Sequence, residues 1–478
     1  MTSLLYRRLS SRFQKSLSGV LLGVGLIIAS GIARGETLVI PAITVAQRYD
    51  SNVYNTGAIQ GVHLGDFVSS AMPQLNLAHK GSLAEGSAQL MGIGEKFIYN
   101  PGLDYVGGGA GFNLNLTRLI GALTPRATLN VSSVTLFKPQ APSFGTTGVG
   151  NAIGEQAVNP FARGIEISRV ETLVSTSAMR FSYNLTQAAS FQANYSLSII
   201  RFGHSFTPNV VQSNLINTNT HLIMAGPQIR VTSLDTIGIN YLYQRTDFSG
   251  RQTTGIADRF ESHGGTLNWG RSWSTEFKSY VYGGATALLQ QGVAAPVSES
   301  GTGVAPSSLV LFNGGANLVW TDTAVSGGSS ANIPQGSMMG SAIGSSGVPG
   351  SGANTVASLS YTVGVFPSFS GAGLPLLSQV VSTFLSHRLS SSFFTNAGAQ
   401  YSRNDSVGDT SNTGGISFQS YGGNAGLSYV ITPTLFASLR GEYQHFSGNG
   451  AGVSGVIGGL GADFDRYVTM VSLTTFWN

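Results

Sequence analysis

The chain has 478 residues, of which 64 are glycine and none is cysteine, and only 10% of its residues are charged. A typical soluble domain carries about 25% charged residues and about 7% glycine, so this composition argues against an ordinary cytosolic enzyme. Aromatic residues make up 10% of the chain, which is more apolar surface than a disordered chain carries. The lack of cysteine excludes disulfide scaffolds, thiol nucleophiles and cysteine metal sites.

The positive net charge of the chain comes from its N-terminal end. Five of the 25 basic residues lie before Glu36, in a segment without any acid, which leaves 20 basic against 21 acidic residues. The rest of the chain is therefore close to neutral. We expect no nucleic-acid partner, because such a partner needs a basic surface.

Residues 1–35 have the layout of a secretory signal peptide. Basic residues cluster within residues 1–15, and residues 19–29 form an unbroken run of small or apolar residues. A membrane-spanning helix needs about 20 apolar residues, so this run favours a cleaved signal over an anchor. Because the small residues Ala33 and Gly35 precede Glu36, we expect cleavage before Glu36 and a single domain over residues 36–478.

Beyond residue 35 the dominant pattern is an alternation of apolar and polar residues with period two. In residues 236–247 apolar Ile239 alternates with polar Asn240, and residues 191–199 and 435–446 show the same alternation. Successive side chains of a strand point to opposite sides of a sheet. Each segment therefore predicts a strand with one apolar face and one polar face.

Two kinds of connection separate these segments. Short connections repeat an apolar residue followed by Thr or Ser, whose hydroxyl can bond nearby backbone groups in a tight turn. They are Leu123-Thr124-Pro125, Leu185-Thr186-Gln187, Val231-Thr232-Ser233, Trp273-Ser274-Thr275, Leu389-Ser390-Ser391 and Ile431-Thr432-Pro433. Long connections rich in Gly, Ser and Asn are predicted over 138–170, 202–217, 248–259 and 448–466. Short turns alternating with long loops are typical of outer-membrane barrels.

The patterns together predict an all-β fold, a transmembrane antiparallel up-and-down β-barrel of about 18 strands, with 16 as the alternative, in the bacterial outer membrane. A soluble β-sandwich is disfavoured, because its outer face would carry more charge.

One tract conflicts with the predicted number of strands. Residues 323–355 are rich in Gly and Ser and fall at a periplasmic turn, so they are either an inserted loop or the sign of a miscounted strand. We expect lipids and lipopolysaccharide of that membrane as surroundings.

The polar faces of the predicted strands supply the candidate lumen wall. The candidate pore-lining residues are Asn113, Asn115, Arg126, Asn130, Arg180, Asn194, Asn240, Arg440, Glu442 and Gln444. Both signs of charge are present in this set. The sequence therefore leaves the ion preference of a pore open.

The end of the chain alternates in the same way. Tyr467, Val471, Leu473 and Trp477 fall on one face, and the chain stops at Asn478. This resembles the C-terminal strand that the barrel assembly machinery recognises, although a terminal Phe is the commoner form. We therefore predict these four residues to be the assembly signal and that machinery to be a partner.

Three local motifs resemble those of the β-barrel porin family linked to exopolysaccharide and exosortase gene clusters. They are Tyr49-Asp50-Ser51-Asn52-Val53-Tyr54, Leu103-Asp104-Tyr105-Val106-Gly107, and Phe137-Lys138-Pro139 with Pro142-Ser143-Phe144. The resemblance implies an outer-membrane porin-like protein for passive diffusion or export, linked to polysaccharide secretion. It brings no catalytic residue. A structural or adhesive barrel without conductance is the alternative.

Residues that could carry other chemistry are few. Asp50-Ser51-Asn52 resembles the start of a calcium loop but lacks the later Gly and Glu, so a turn is expected there. The seven histidines are scattered, so neither a metal nor a cofactor is expected.

His445 and Ser447 are a candidate catalytic pair. His445 and Ser447 lie two apart on one face and resemble the His-x-Ser pair of outer-membrane lipid A deacylases, with Asp463 or Asp465 of the next loop as the acid. Those enzymes are much smaller barrels. We therefore expect an interfacial histidine and no enzyme, with the lipid A esterase as a minor alternative.

Overall fold

The protein was analysed as a computed structural model. It describes residues 36–54, 63–82, 84–117, 120–121, 126–139, 170–205, 217–249, 259–291, 308–322, 354–367, 375–407, 417–449 and 463–477. The predicted signal peptide and most of the Gly/Ser tract lie outside these residues. No helix among them is long and apolar enough to cross a membrane.

The described residues form 18 strands. They are β1 (Glu36–Asp50), β2 (Asp66–Lys80), β3 (Glu85–Phe97), β4 (Tyr105–Asn115), β5 (Ala127–Pro139), β6 (Val170–Asn184), β7 (Ala189–Ser205), β8 (Asn217–Arg230), β9 (Asp235–Ser249), β10 (Arg259–Ser272), β11 (Phe277–Gln291), β12 (Ser308–Thr321), β13 (Thr355–Pro367), β14 (Pro375–Arg388), β15 (Phe393–Ser406), β16 (Ser417–Thr432), β17 (Leu435–Asn449) and β18 (Phe464–Phe476). A short 3-10 helix, Pro101–Leu103, lies between β3 and β4.

Each strand pairs antiparallel with its neighbour in the chain, and β1 also pairs with β18. The sheet is therefore a closed 18-stranded antiparallel barrel, which confirms the predicted fold and the larger of the two strand counts. Closure leaves no unpaired strand edge, and this is the condition for a sheet to span a lipid bilayer.

The two faces of the barrel follow from the register. Cross-strand partners share a face, so the outward face can be traced around the whole sheet. Large apolar side chains are exposed on it in 16 of the strands: Val45, Phe67, Val106, Met179, Phe191, Ile223, Ile239, Leu267, Val281, Val310, Leu359, Leu385, Tyr401, Leu427, Leu439 and Val471. An apolar band around a closed antiparallel barrel is the architecture of bacterial outer-membrane proteins. The protein is therefore located in the bacterial outer membrane.

Hydroxyl groups build the short turns, as the sequence predicts. Thr232 Oγ1 accepts hydrogen bonds from the backbone N–H of Leu234 at 3.1 Å and of Asp235 at 2.9 Å. The hydroxyls of Thr186, Ser274 and Ser390 accept the equivalent pairs of backbone bonds. The turn at Leu123-Thr124-Pro125 lies outside the described residues.

The Gly/Ser tract begins and ends at two directly paired strands, β12 and β13. The Asp322 carboxylate accepts hydrogen bonds from the Asn354 N–H at 2.8 Å and the Thr355 hydroxyl at 3.1 Å. Desolvation acts to raise the pKa of Asp322, but these hydrogen bonds outweigh it and hold the pKa below its usual range. Because β12 and β13 pair directly, no further strand lies between them in the described sheet, and the count of 18 strands is confirmed.

Several strands extend beyond their predicted ends. The sequence places Asp465 and Arg466 in a loop over 448–466, whereas both belong to β18. Likewise Lys138 and Pro139 still belong to β5. The physical reason is that the rim segment of β18 carries charged side chains on both faces, which resembles a polar loop.

Candidate functional site at the barrel seam

The predicted pore-lining residues that lie in strands all occupy inward positions. They are Asn113 and Asn115 on β4, Asn130 on β5, Arg180 on β6, Asn194 on β7, Asn240 on β9, and Arg440, Glu442 and Gln444 on β17. Arg180 is the cross-strand partner of both Asn130 and Asn194, so these three form one row. Asn130 Nδ2 also donates a hydrogen bond to Asn113 Oδ1 at 2.9 Å.

Arg126 differs from the rest of this set, because it lies in the turn before β5 and is exposed. Its guanidinium donates a hydrogen bond to the Leu185 carbonyl at 3.2 Å. Arg126 therefore belongs to the rim of the barrel. A pore-lining role for all ten residues stays a prediction.

The inward face around the β1–β18 seam carries a charged group that we call the seam network. It consists of Arg48, Asp50, Glu95, Arg440, Glu442 and Arg466. At its centre, Arg466 Nε donates to Asp50 Oδ1 at 2.9 Å, and Arg466 Nη2 donates to Asp50 Oδ2 at 2.6 Å. This two-point pair joins the first strand to the last. Both side chains are buried, at 6% and 1% exposure.

Two further pairs complete the seam network. Arg48 reaches across β2 and donates to both carboxylate oxygens of Glu95, at 3.0 and 3.2 Å. Arg440 Nη2 lies 2.7 Å from Glu442 Oε1 on β17. Three guanidinium groups thus face three carboxylates. The network is therefore charge-balanced as a whole.

The first two resemblance motifs meet beside the seam network. Val53 and Tyr54 of the first motif pack in a buried cluster with Leu103 of the second and with Val68 and Phe97. Asp50, in the same first motif, accepts a hydrogen bond from the Asn52 N–H at 3.1 Å, which is the expected turn. The motif therefore holds the Asp50 carboxylate at the height of Arg466.

The second motif also contacts the third. The Tyr105 hydroxyl donates a hydrogen bond to the Phe137 carbonyl, and the Tyr105 side chain lies over Gly107. A Cβ atom added at Gly107 would lie 1.9 Å from the Tyr105 hydroxyl, so only glycine fits there. Pro142-Ser143-Phe144 lies outside the described residues. The described parts of the three motifs, which end at Pro139, are thus in contact with one another on β1 to β5.

The Asp66 carboxylate binds the backbone of the β3–β4 connection. Asp66 Oδ1 accepts hydrogen bonds from the N–H groups of Ile98 at 2.9 Å and Tyr99 at 3.0 Å, and Asp66 Oδ2 accepts one from Asn100 at 2.8 Å. Three backbone donors on one carboxylate satisfy a buried charge without a cation. Asp66 therefore acts on the backbone, outside the seam network.

Sequence reasoning missed four members of the seam network as site residues: Arg48, Asp50, Glu95 and Arg466. A local signal existed for two of them, because Arg48 and Asp50 have the inward parity of Thr44 on β1. Arg466 carried no such signal while its segment was interpreted as a loop. Glu95 lies on a strand whose glycines weaken the alternation.

The predicted assembly residues lie on the outward face. Tyr467, Val471, Leu473 and Trp477 are all exposed, and the Trp477 N–H donates a hydrogen bond to the Pro41 carbonyl at 3.0 Å. We expect Trp477→Ser, or removal of Trp477 and Asn478, to lower the amount of assembled barrel several-fold without changing its channel properties. Quantifying heat-modifiable protein in isolated outer membranes measures this. Normal levels of both variants would contradict an assembly signal.

No family model matches the chain, and no curated protein matches it. Solved structures do match at low identity. OccAB3 of Acinetobacter baumannii is 10% identical with a TM-score of 0.39, and the match covers 92% of this chain and 99% of that one. OpdK of Pseudomonas aeruginosa, solved with vanillate, is 8% identical with a TM-score of 0.40, over 92% and 99%. The ferric-catecholate import receptor Fiu of E. coli is 8% identical with a TM-score of 0.40, over 91% and 81%.

Proposed function

We propose that this outer-membrane barrel is a porin-like channel for the passive diffusion of small polar solutes. The observation that carries the proposal is the inward face, where polar side chains run in cross-strand rows and the charged residues at the seam are paired. The interior of water-filled outer-membrane channels is polar in the same way, while their outward face is apolar.

The balanced seam network favours a weakly ion-selective channel. Selectivity in a wide pore follows from the fixed charges on its wall, and here the three positive and three negative groups offset one another. The measurement is single-channel recording of the purified protein in planar bilayers. Absence of current would favour the structural or adhesive barrel instead.

The link to exopolysaccharide secretion, implied by the sequence motifs, stays a prediction. It requires a polysaccharide chain to enter the lumen and reduce the current. We expect added oligosaccharides of that polymer to block the open channel in a concentration-dependent manner. A current that is insensitive to them would leave a diffusion channel without that link.

Substituting either member of the Arg440 and Glu442 pair is expected to create selectivity. Arg440→Ser leaves the Glu442 carboxylate and should favour cations, whereas Glu442→Ser leaves the Arg440 guanidinium and should favour anions. A unit charge about 7 Å from a permeating ion contributes about 0.6 kcal/mol in water, or a factor of about two to three in permeability. Reversal potentials under a salt gradient measure the ratio.

The matched control is the double variant Arg440→Ser with Glu442→Ser, which restores charge balance and should return the permeability ratio to that of the unmodified protein. Shifts of both single variants in the same direction would contradict a lumen position for the pair.

A further inference from the structure

The lumen wall on β10, β11 and β12 has a bare position that is bordered by polar and aromatic side chains. Three inward rows cross these strands, and from the long-loop end downward they are Thr266 with Gly284 and Asn313, Asn268 with Tyr282 and Gly315, and Gly270 with Tyr280 and Asn317. A Cβ atom added at Gly284 would lie 1.9 Å from the Gly265 carbonyl oxygen, so this position accepts only glycine. We call the recess over Gly284, with Thr266, Tyr282, Thr286 and Asn313 around it, the wall niche.

Two buried polar atoms border the wall niche without a hydrogen-bond partner among the described residues. They are Thr266 Oγ1, on a side chain that is 5% exposed, and Asn313 Oδ1. The Asn313 amide is held in place, since its Nδ2 donates to Thr286 Oγ1 at 2.9 Å. The two strands that flank β11 are about 9.6 Å apart, so one small ring can reach both atoms. Because buried polar groups are normally satisfied, the pair indicates a ligand that both donates and accepts hydrogen bonds.

Aromatic side chains lie directly below the wall niche. Tyr282 and Tyr280 follow one another on the inward face of β11, with 6.2 Å between their ring centroids, and both are half-buried. A Cβ atom added at Gly315 would lie 2.7 Å from Tyr282 Cε1. The Tyr282 ring therefore leans along the wall over β12. A ring in this position offers apolar contact surface to a solute seated over Gly284.

The wall around the niche is almost without charge. Lys278 is the sole charged residue among the described inward positions of β9 to β13, and it lies six residues from Gly284 toward the short-turn end. The seam network lies across the lumen, because β11 is nine strands away from β2 in either direction around the barrel. A charged solute thus finds no ion pair at the wall niche to offset its desolvation, whereas a neutral solute needs none.

We propose that the wall niche binds small neutral sugars as they pass through the lumen, which rests on the channel function proposed above. A pyranose has both features that the niche requires. The C–H face of its ring packs against Tyr282, while its hydroxyls donate to Asn313 Oδ1 and exchange hydrogen bonds with Thr266 Oγ1. One ring fills the niche, so a monosaccharide is sufficient and no polysaccharide is required.

Saturation-transfer NMR with D-glucose tests the wall niche on the full-length barrel in detergent micelles. Irradiation of aromatic protons should saturate the ring C–H protons of bound glucose, and a glucose titration measures the affinity. We expect Tyr282→Ala and Thr266→Val each to weaken binding about five- to tenfold, the effect of one aromatic contact or one hydrogen bond. Heat-modifiable migration verifies that each variant is folded.

Two matched control variants should bind glucose like the unmodified protein. Tyr361→Ala removes a tyrosine that is 41% exposed on the outward face of β13. Thr176→Val removes an inward hydroxyl on β6 that, like that of Thr266, has no partner among the described residues. Mannitol is the control solute, because it carries hydroxyls on an open chain without a ring face.

Saturable glucose binding that exceeds mannitol binding, and that only the two niche variants weaken, supports the site. Absence of saturable glucose binding, equal binding of mannitol, or equal losses in the control variants overturns it. Conductance of the same preparations separates the two proposals. Current without glucose binding overturns the wall niche alone, whereas glucose binding without current supports the niche and overturns the channel.

Discussion

Replacing Asp50 by Asn is expected to destabilise the barrel by roughly 3 to 5 kcal/mol, because it removes the carboxylate that faces the buried Arg466 guanidinium. The pair spans 416 residues of chain and joins β1 to β18. Its loss therefore weakens the seam at which the sheet closes. Unfolding by urea in detergent micelles, followed by tryptophan fluorescence, measures the change in free energy.

An exposed ion pair provides the comparison. Arg403 Nε lies 2.9 Å from Asp405 Oδ2, with the side chains 56% and 33% exposed. Asp405→Asn is expected to cost at most about 1 kcal/mol, since exposed pairs are weak. The double variant Asp50→Asn with Arg466→Met should recover much of the loss, because no uncompensated charge remains. Equal costs for Asp50→Asn and Asp405→Asn would contradict a buried seam network.

Leu439→Arg is expected to destabilise the inserted barrel by about 2 to 4 kcal/mol if the site is near the bilayer midplane, and by less toward the interfaces. Leu439 is 50% exposed on the outward face, so the new guanidinium would meet hydrocarbon. Assembly yield should fall in parallel. The free energy of unfolding from lipid vesicles is the quantity to measure.

Ser438→Arg is the matched control for this change. It places the same side chain one residue earlier on the same strand, where the Ser438 hydroxyl faces that of Ser472 across the inward surface at 2.6 Å. An arginine there reaches the water of the lumen, so a loss of about 1 kcal/mol, the value of one hydrogen bond, is expected. A larger cost for Ser438→Arg than for Leu439→Arg would show that the two faces are inverted.

Much of the architecture follows from the amino-acid sequence alone. The period-two alternation assigned opposite faces to Leu439 and Arg440, because the direction of a strand side chain depends only on its parity. The Ser and Thr turns, such as that at Thr232, marked where strands reverse, because a hydroxyl and the backbone amides it binds are neighbours in the chain. Local information of this kind was enough for the all-β barrel of about 18 strands, and the direct pairing of β12 with β13 then excluded the alternative count of 16.

Only the tertiary structure decided which residues meet. Arg466 reaches Asp50, and Asp465 reaches His445, because closure sets the register of β18 against β1 and β17. That register is a property of the whole sheet, so it cannot be predicted from a local segment of the sequence. The first residues of β18 carry charged side chains on both faces, so their sequence pattern resembles that of a loop. The partners that neutralise these charges lie on other strands.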